Sequence, residues 1–382
     1  MDEVIQLTRD MVATASVNPQ DSDDTNPPYG EQRMVELVGG WLGEAGLRAE
    51  ILESRPGRES VLVTAEGKDS GKTVLLSAHM DTVEVKGMSI EPFDPQVREG
   101  RIYGRGACDD KGPLATLMVA YRDRVRQGNL PCNLALLATC GEEHDMAGAR
   151  YYAERSAGKV TAAIFAEPTE LNVVVAHKGV VRMRMCSKGK NAHSSTPELG
   201  TNAIYPMARA VTAVEEFARQ LKTRSEHPRL GHETLSVTIV EGGQQVNIIP
   251  ENCRAEIDWR ILPGRDPKQC LEELREAVLA QAGSELSAEI MNQYESMETD
   301  EKQPFVRALC EAVKYVNSSM KMVAVPYVTD ASAFVEHQIP TVIFGPGSPA
   351  QAHTQDEYVE IEQLKKGLAA YKGFLEGDWG IG

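Results

Sequence analysis

Apolar residues recur at helical spacing over 2–15 and 32–45. Between them lies SVNPQDSDDTNPPYG (16–30), whose Pro, Asp and Asn content reads as a loop. Four compact apolar runs follow at 61–65, 74–78, 134–139 and 162–166, each the length of a buried strand. Helical patterns at 113–127 and 147–156 separate the later runs. Strand and helix in alternation predict an α/β fold with a mixed, mostly parallel central sheet flanked by helices.

The rhythm changes after 177. Period-two positions predict strands at 180–187, 235–240, 254–261 and 286–291, with helices at 201–223 and 267–282. This β-α-β-β-α-β order is ferredoxin-like and predicts a small α+β domain at 178–292. It is inserted into a larger domain formed by 1–177 and 293–382. There the α/β pattern resumes with helices at 305–316 and 361–375 and a strand at 341–344.

Composition narrows the function. The chain has 382 residues, 42% hydrophobic and 25% charged, as in ordinary globular proteins. Lys and Arg number 40 against 56 Asp and Glu, a formal net charge of −16. That excess of acid argues against nucleic acid or an anionic membrane as the main partner. No apolar run approaches the roughly 20 residues of a membrane span. The start, MDEVIQLTRDMV, lacks the basic and apolar regions of a signal peptide, so a cytoplasmic location is expected. The seven cysteines are odd in number, scattered and without a CxxC, which points to reduced thiols and away from a thiolate metal site.

Chemistry concentrates at the ends of the strand-like runs. SAHMDTV (77–83) places His79 and Asp81 two apart, on one side of extended chain. GRGACDDKG (104–112) sets Asp109 and Asp110 before a helix, where either would also serve as its N-cap. CGEEHDMAGA (140–149) carries Glu142 and Glu143, which in isolation would read as a solvated acidic turn. Side by side after a strand, one of them is free to bind a cation while its neighbour, diverging in extended chain, faces water. AEPTE (166–170) puts Glu167 directly after a strand, and QAHTQDEYV (351–359) puts His353 after the glycine-rich FGPGS (344–348). Singly these motifs are weak. Together they supply two histidines and several carboxylates at strand ends, where ligands gather in open α/β sheets. That donor mixture suits zinc or a similar divalent ion, and a carboxylate bridging two ions about 3.5–4 Å apart is a natural arrangement.

In these motifs, and over essentially its whole length, the chain resembles the M20 metallopeptidase family, in particular the branch of acetylornithine deacetylases and succinyl-diaminopimelate desuccinylases. The resemblance implies a zinc-peptidase-like fold and hydrolysis of an amide bond with two divalent ions, zinc first and cobalt as the alternative. It implies His79 and Glu167 as ligands of one ion, Glu143 and His353 as ligands of the other, and Asp109 as the bridge. Asp81 would orient His79, and Glu142 would be the general base. The family often has a cis peptide after the bridging aspartate, here Asp109–Asp110. In the inserted domain, AHSSTPELG (192–200) would supply His193 to the reacting carbonyl. Asn247 in GGQQVNIIP and Arg260 in IDWRILPG would contact substrate. His144 and Cys108 adjoin ligand positions but have no part in the family pattern. The implied substrate is a small N-acyl amino acid of acetyl or succinyl type, with a short peptide (dipeptidase or carboxypeptidase action) as the alternative. VVAHKG (174–179) is closer to the deacetylase, while YVTDASAF (327–334) matches neither branch. The family also implies a homodimer in which His193 works in the partner's active site, the inserted domain serving as lid and dimerisation element.

Overall fold

The computed structural model describes residues 2–20, 22, 26–224, 226–282 and 286–381. The chain divides into two compact units, one of 1–175, 298–323 and 329–382, the other of 176–297 with 324–328.

The larger unit is a mixed α/β layer structure. Across its central sheet the strands run Glu50–Arg55, Arg58–Ala65, Cys132–Thr139, Asp69–His79, Ala162–Phe165, Thr341–Ile343 and Val173–His177. The four from Cys132–Thr139 to Thr341–Ile343 are mutually parallel, and the flanking pairs are antiparallel. Val74, Leu75, Leu76 and Ala78 are all buried, as are Leu134 to Ala138. Both faces are covered, so these strands read as continuous apolar runs instead of alternating ones. Leu76 and Ile164 face a core shared with the helices Glu3–Ala13, Gln32–Glu44, Lys111–Gln127, Pro304–Val316 and Ile361–Glu376. Phe165, one residue on and therefore on the opposite face, meets Phe334 at 5.1 Å between ring centroids, and Phe334 meets Tyr152 of the helix Ala147–Arg155 at 6.3 Å.

The second unit is ferredoxin-like. Its antiparallel sheet has the order Thr234–Gly242, Asn252–Ile261, Gly179–Lys188, Leu286–Tyr294. Val181, Met183 and Met185 face the helices Ile204–Leu221 and Pro267–Ala282 with Trp259 and Phe217. Arg182 and Arg184, at the intervening positions, pair with Asp258 and Glu256. The alternation that predicted this sheet is therefore a one-sided core. Periodicity missed the short pieces: the strands Gln96–Arg98, Arg101–Tyr103 and Tyr358–Glu360 form a separate sheet, and Ala192–His193 pairs with Ile248–Ile249. Two or three residues are too few to carry a period.

Leu76→Ala should cost about 2–5 kcal/mol by leaving a cavity under the sheet. The measurement is the urea midpoint of the larger unit, followed by Trp41 and Trp379 fluorescence in a Trp259→Phe background.

Candidate metal centre

The parallel strands all point their carboxyl ends the same way, and the chemistry collects there. His79 is the last residue of Asp69–His79, Glu142 and Glu143 follow Cys132–Thr139, Glu167 follows Ala162–Phe165, and His353 follows Thr341–Ile343. Asp109 arrives from the loop before the helix Lys111–Gln127.

Two triads result. His79, Asp109 and Glu167 each offer a donor atom within 4.8 Å of the others, and so do Asp109, Glu143 and His353. Asp109 belongs to both. Its Oδ1 is 2.9 Å from His79 Nε2 and its Oδ2 is 3.3 Å from His353 Nε2. His353 Nε2 is also 3.1 Å from Glu143 Oε1. Glu142 belongs to neither triad.

Neighbouring contacts hold these groups in place. The buried Glu357 carboxylate accepts the backbone N–H groups of Gly106, Cys108 and Asp109 at 2.9–3.1 Å and is paired with Arg105 at 2.6 Å. It fixes the loop that presents Asp109. Asp110 stands at the N-cap position of the following helix but makes no side-chain cap bond; its Oδ2 instead accepts the His79 N–H at 3.3 Å. The capping role open to the two aspartates in the sequence is thus filled by neither side chain. The Asp109–Asp110 peptide is cis, as the resemblance implies. The expectation that Glu142 and Glu143 diverge along extended chain is corrected: they lie in a turn, where Asp81 Oδ1 accepts the N–H of Glu142 and Oδ2 that of Glu143, each at 3.1 Å. Two loops meet so closely that a Cβ on Gly345 would lie 2.5 Å from the Glu167 carbonyl oxygen, so only glycine fits. Cys108 is buried, its Sγ donating to the Ser348 carbonyl, and it belongs to neither triad. His144 also lies outside both.

The electrostatics are those of a cation site. Burial and mutual repulsion raise the acids: Glu142 through burial and then Glu167, Glu167 through burial and then Asp109 and Asp110, Glu143 through burial and then Asp109. Burial also opposes ionisation of Asp109, but hydrogen bonds with His353 and His79 overcome it and hold this carboxyl below the usual range. The same contacts, with Asp109 first and Glu143 second, push His353 up to about 11. Buried carboxylates this crowded require protons or cations between them. The donors are imidazole and carboxylate, with no thiolate, a set that fits two borderline divalent ions sharing Asp109.

His193, Asn247 and Arg260 lie in the second unit. His193 is exposed and pairs in register with Ile248, while the Ser194 N–H donates to the Asn247 carbonyl at 2.9 Å, so His193 and Asn247 share one small ladder. Arg260 stands on Asn252–Ile261 with Nε 2.7 Å from Asp258 Oδ1. Three positioning groups escaped the sequence reading. Glu357 lay inside a motif read for its histidine. Asn18 lay in a stretch read as a loop; it donates to Asp81 Oδ2 at 2.6 Å. Asp330, buried and bonded by the Thr139 hydroxyl at 2.6 Å, lay in a segment without a pattern.

A carboxylate shared by two donor triads at the ends of parallel strands fits a binuclear metal site, and the comparisons supply the class of reaction. Residues 75–377 match the model of peptidase family M20/M25/M40, and the chain belongs to that family. It is a metal-dependent hydrolase of amide bonds. It is 33% identical over 372 residues to the acetylornithine deacetylase of Proteus mirabilis (strain HI4320), covering 94% of this chain and 92% of that one. Among solved structures, the M20 family metallo-carboxypeptidase Sso-CP2 of Sulfolobus solfataricus superposes with a TM-score of 0.79 at 21% identity, over 98% of this chain and 99% of that one. The Bacillus subtilis YXEP protein, a dinuclear metal binding peptidase of the M20 family, gives 0.72 at 18%, over 97% and 96%. These two likenesses concern the fold.

The metal-free protein should lose stability as pH rises. Glu142, Glu143 and Glu167 have folded values above 4.5, so above that pH the native state holds protons that the unfolded chain has released. His79 and His353, raised above 6.5, add a favourable contribution that is complete below that value and fades as pH climbs through their folded values. A divalent cation replaces those protons, so zinc should raise the thermal midpoint more at about pH 8 than at about pH 5.5. Equal shifts at both would mean that the acids part with their protons unaided.

Proposed function

We propose that the protein removes an acyl group of acetyl or succinyl type from an N-acyl amino acid. The observation that carries the reading is Glu142, which lies beside two triads joined by Asp109 and within neither. The acetylornithine deacetylase relatives support an N-acyl amino acid as substrate. In this reading His79 and Glu167 hold one ion, Glu143 and His353 the other, and Asp109 both. The ions are zinc, with cobalt as the alternative. When bound they supply Lewis acidity, acidifying water and polarising the acyl carbonyl.

The side chains do the rest. Glu142 takes the proton of the attacking water and delivers it to the departing amine. Asp81, whose backbone carbonyl oxygen lies 3.0 Å from His79 Nδ1 and whose carboxylate stands behind it at 3.6 Å, directs the other ring nitrogen toward Asp109. His193 donates to the tetrahedral oxyanion, and Asn247 and Arg260 contact the substrate, the guanidinium fork of Arg260 taking its carboxylate. The second unit acts as lid and dimerisation domain in a homodimer. Its edge strand Thr234–Gly242 leaves Ile239 and Val240 exposed, a surface suited to a two-fold partner. Seven free cysteines support a reducing, cytoplasmic setting. Dipeptidase or carboxypeptidase action on the same scaffold is the competing reading. A panel of N-acetyl and N-succinyl amino acids set against dipeptides decides; turnover of dipeptides alone would reject deacylation.

Glu142→Gln should retain two equivalents of metal and the native circular dichroism spectrum while losing turnover by at least about 100-fold. Near-normal turnover would move the base elsewhere.

Mixing His193→Ala with Glu142→Ala protein, each nearly inactive alone, should restore activity under conditions of subunit exchange. Each mixed dimer then has one intact composite site. No recovery despite exchange would place His193 in its own chain's chemistry or outside it.

A further inference from the structure

We propose that Asn18 is a positioning residue: its side-chain amide fixes the Asp81 carboxylate and, through it, the turn that carries Glu142. The proposal rests on the reading of Glu142 as the general base.

Asn18 is only 3% exposed. Its Oδ1 accepts the Gln20 N–H at 2.7 Å. A backbone N–H can only donate, so this bond fixes which end of the amide is oxygen. The Nδ2 end therefore faces Asp81 Oδ2, 2.6 Å away. Asp81 is buried and held ionised; burial works against this and its bonds with His79 and Asn18 outweigh it.

The consequence lies in how Asp81 distributes its oxygens. Oδ1 takes the Glu142 N–H and faces His79 Nδ1, and Oδ2 takes the Glu143 N–H and Asn18. Without the Asn18 donor, each oxygen keeps a single N–H partner, and only Oδ1 has the His79 ring beside it, at 3.6 Å. The carboxylate is then free to rotate toward the imidazole and release the Glu142–Glu143 turn. Glu142 lies in neither donor triad, so the turn is what presents it.

The backbone of this segment is secured separately. Asn18 N–H donates to Thr82 O at 2.8 Å, Thr82 N–H to Ser16 O at 3.0 Å, and the Ser16 hydroxyl to Met80 O at 2.7 Å. Replacing the Asn18 side chain leaves these three bonds intact.

Asn18→Asp makes the discriminating variant. It keeps the shape and the acceptor for Gln20 but sets an oxygen against Asp81 Oδ2. The Gln20 bond is unchanged, so any loosening of the Glu142–Glu143 turn arises on the Asp81 side, where the repulsion tests whether that carboxylate sets the turn. The proposal expects kcat to fall at least about tenfold on the N-acyl amino acid, with KM within about threefold. It also expects faster hydrogen exchange at the Glu142 and Glu143 amides in the metal-free protein. Wild-type exchange and wild-type kcat would overturn it. Should Asn18→Asp fail to fold, Asn18→Leu, which removes the donor without adding charge, carries the same two expectations and the same refutation. Exchange needs no substrate, so a wild-type protein that hydrolyses nothing on the panel would sink the deacylase reading while the exchange result still decides the role of Asn18.

Discussion

Everything at this site depends on keeping one carboxylate ionised among others that repel it. Asp109 lies between His79 and His353, and those two imidazoles are what hold its proton off against burial. Around it, Glu142, Glu143 and Glu167 have less help, and their carboxyls are raised. An arrangement of this kind is expensive in a metal-free chain and becomes favourable only when cations replace protons. The global charge of −16 adds little to this balance, because the groups that matter are packed within a few ångströms and the carboxylates among them are buried.

The scaffold makes that crowding possible by spending order elsewhere. Parallel strands buried on both faces bring His79, the 142–143 turn and Glu167 to one edge without any of the three being near in sequence. The loop bearing Asp109 has no such strand behind it. Glu357 does the equivalent work, gathering three backbone N–H groups and Arg105 onto one carboxylate. Gly345 lets the loop after Thr341–Ile343 pass against the Glu167 backbone, where any Cβ would collide.

The sequence made legible what repeats or concentrates. Apolar runs marked the parallel strands because burial on both faces removes alternation, and alternation marked the ferredoxin-like sheet because one of its faces is polar. The ligand types stood out because His79, Asp109, Glu142, Glu143, Glu167 and His353 each close or follow an apolar run or a glycine-rich turn. What stayed hidden has a common cause. Asn18, Glu357 and Asp330 act on groups far away along the chain, and a loop asparagine or a surface-looking acid carries no period that would betray a contact made 63 or 249 residues away. The anchoring of the 142–143 turn was hidden for the same reason: its bend is closed locally on the Gly141 carbonyl, but its two leading amides are held by Asp81, about 60 residues away.

That turn explains why the two glutamates are adjacent. In the proposed reading Glu143 binds metal and Glu142 carries a proton, so the two must point apart while staying close. In extended chain, neighbours point apart by construction. Here the turn is closed locally by the Gly141 carbonyl, which takes the His144, Asp145 and Met146 N–H groups, and the amides of the two glutamates find an acceptor outside it. Asp81 is that acceptor, with two oxygens, one per residue, while its Oδ1 also faces the His79 ring. A single buried residue therefore ties together Glu142, Glu143 and the imidazole, the first two through its carboxylate and the ring through its carbonyl oxygen. A carboxamide at position 81 would satisfy only part of this set, because its nitrogen cannot accept an N–H. The requirement for two acceptor oxygens, and not for charge alone, is what makes an acid necessary there.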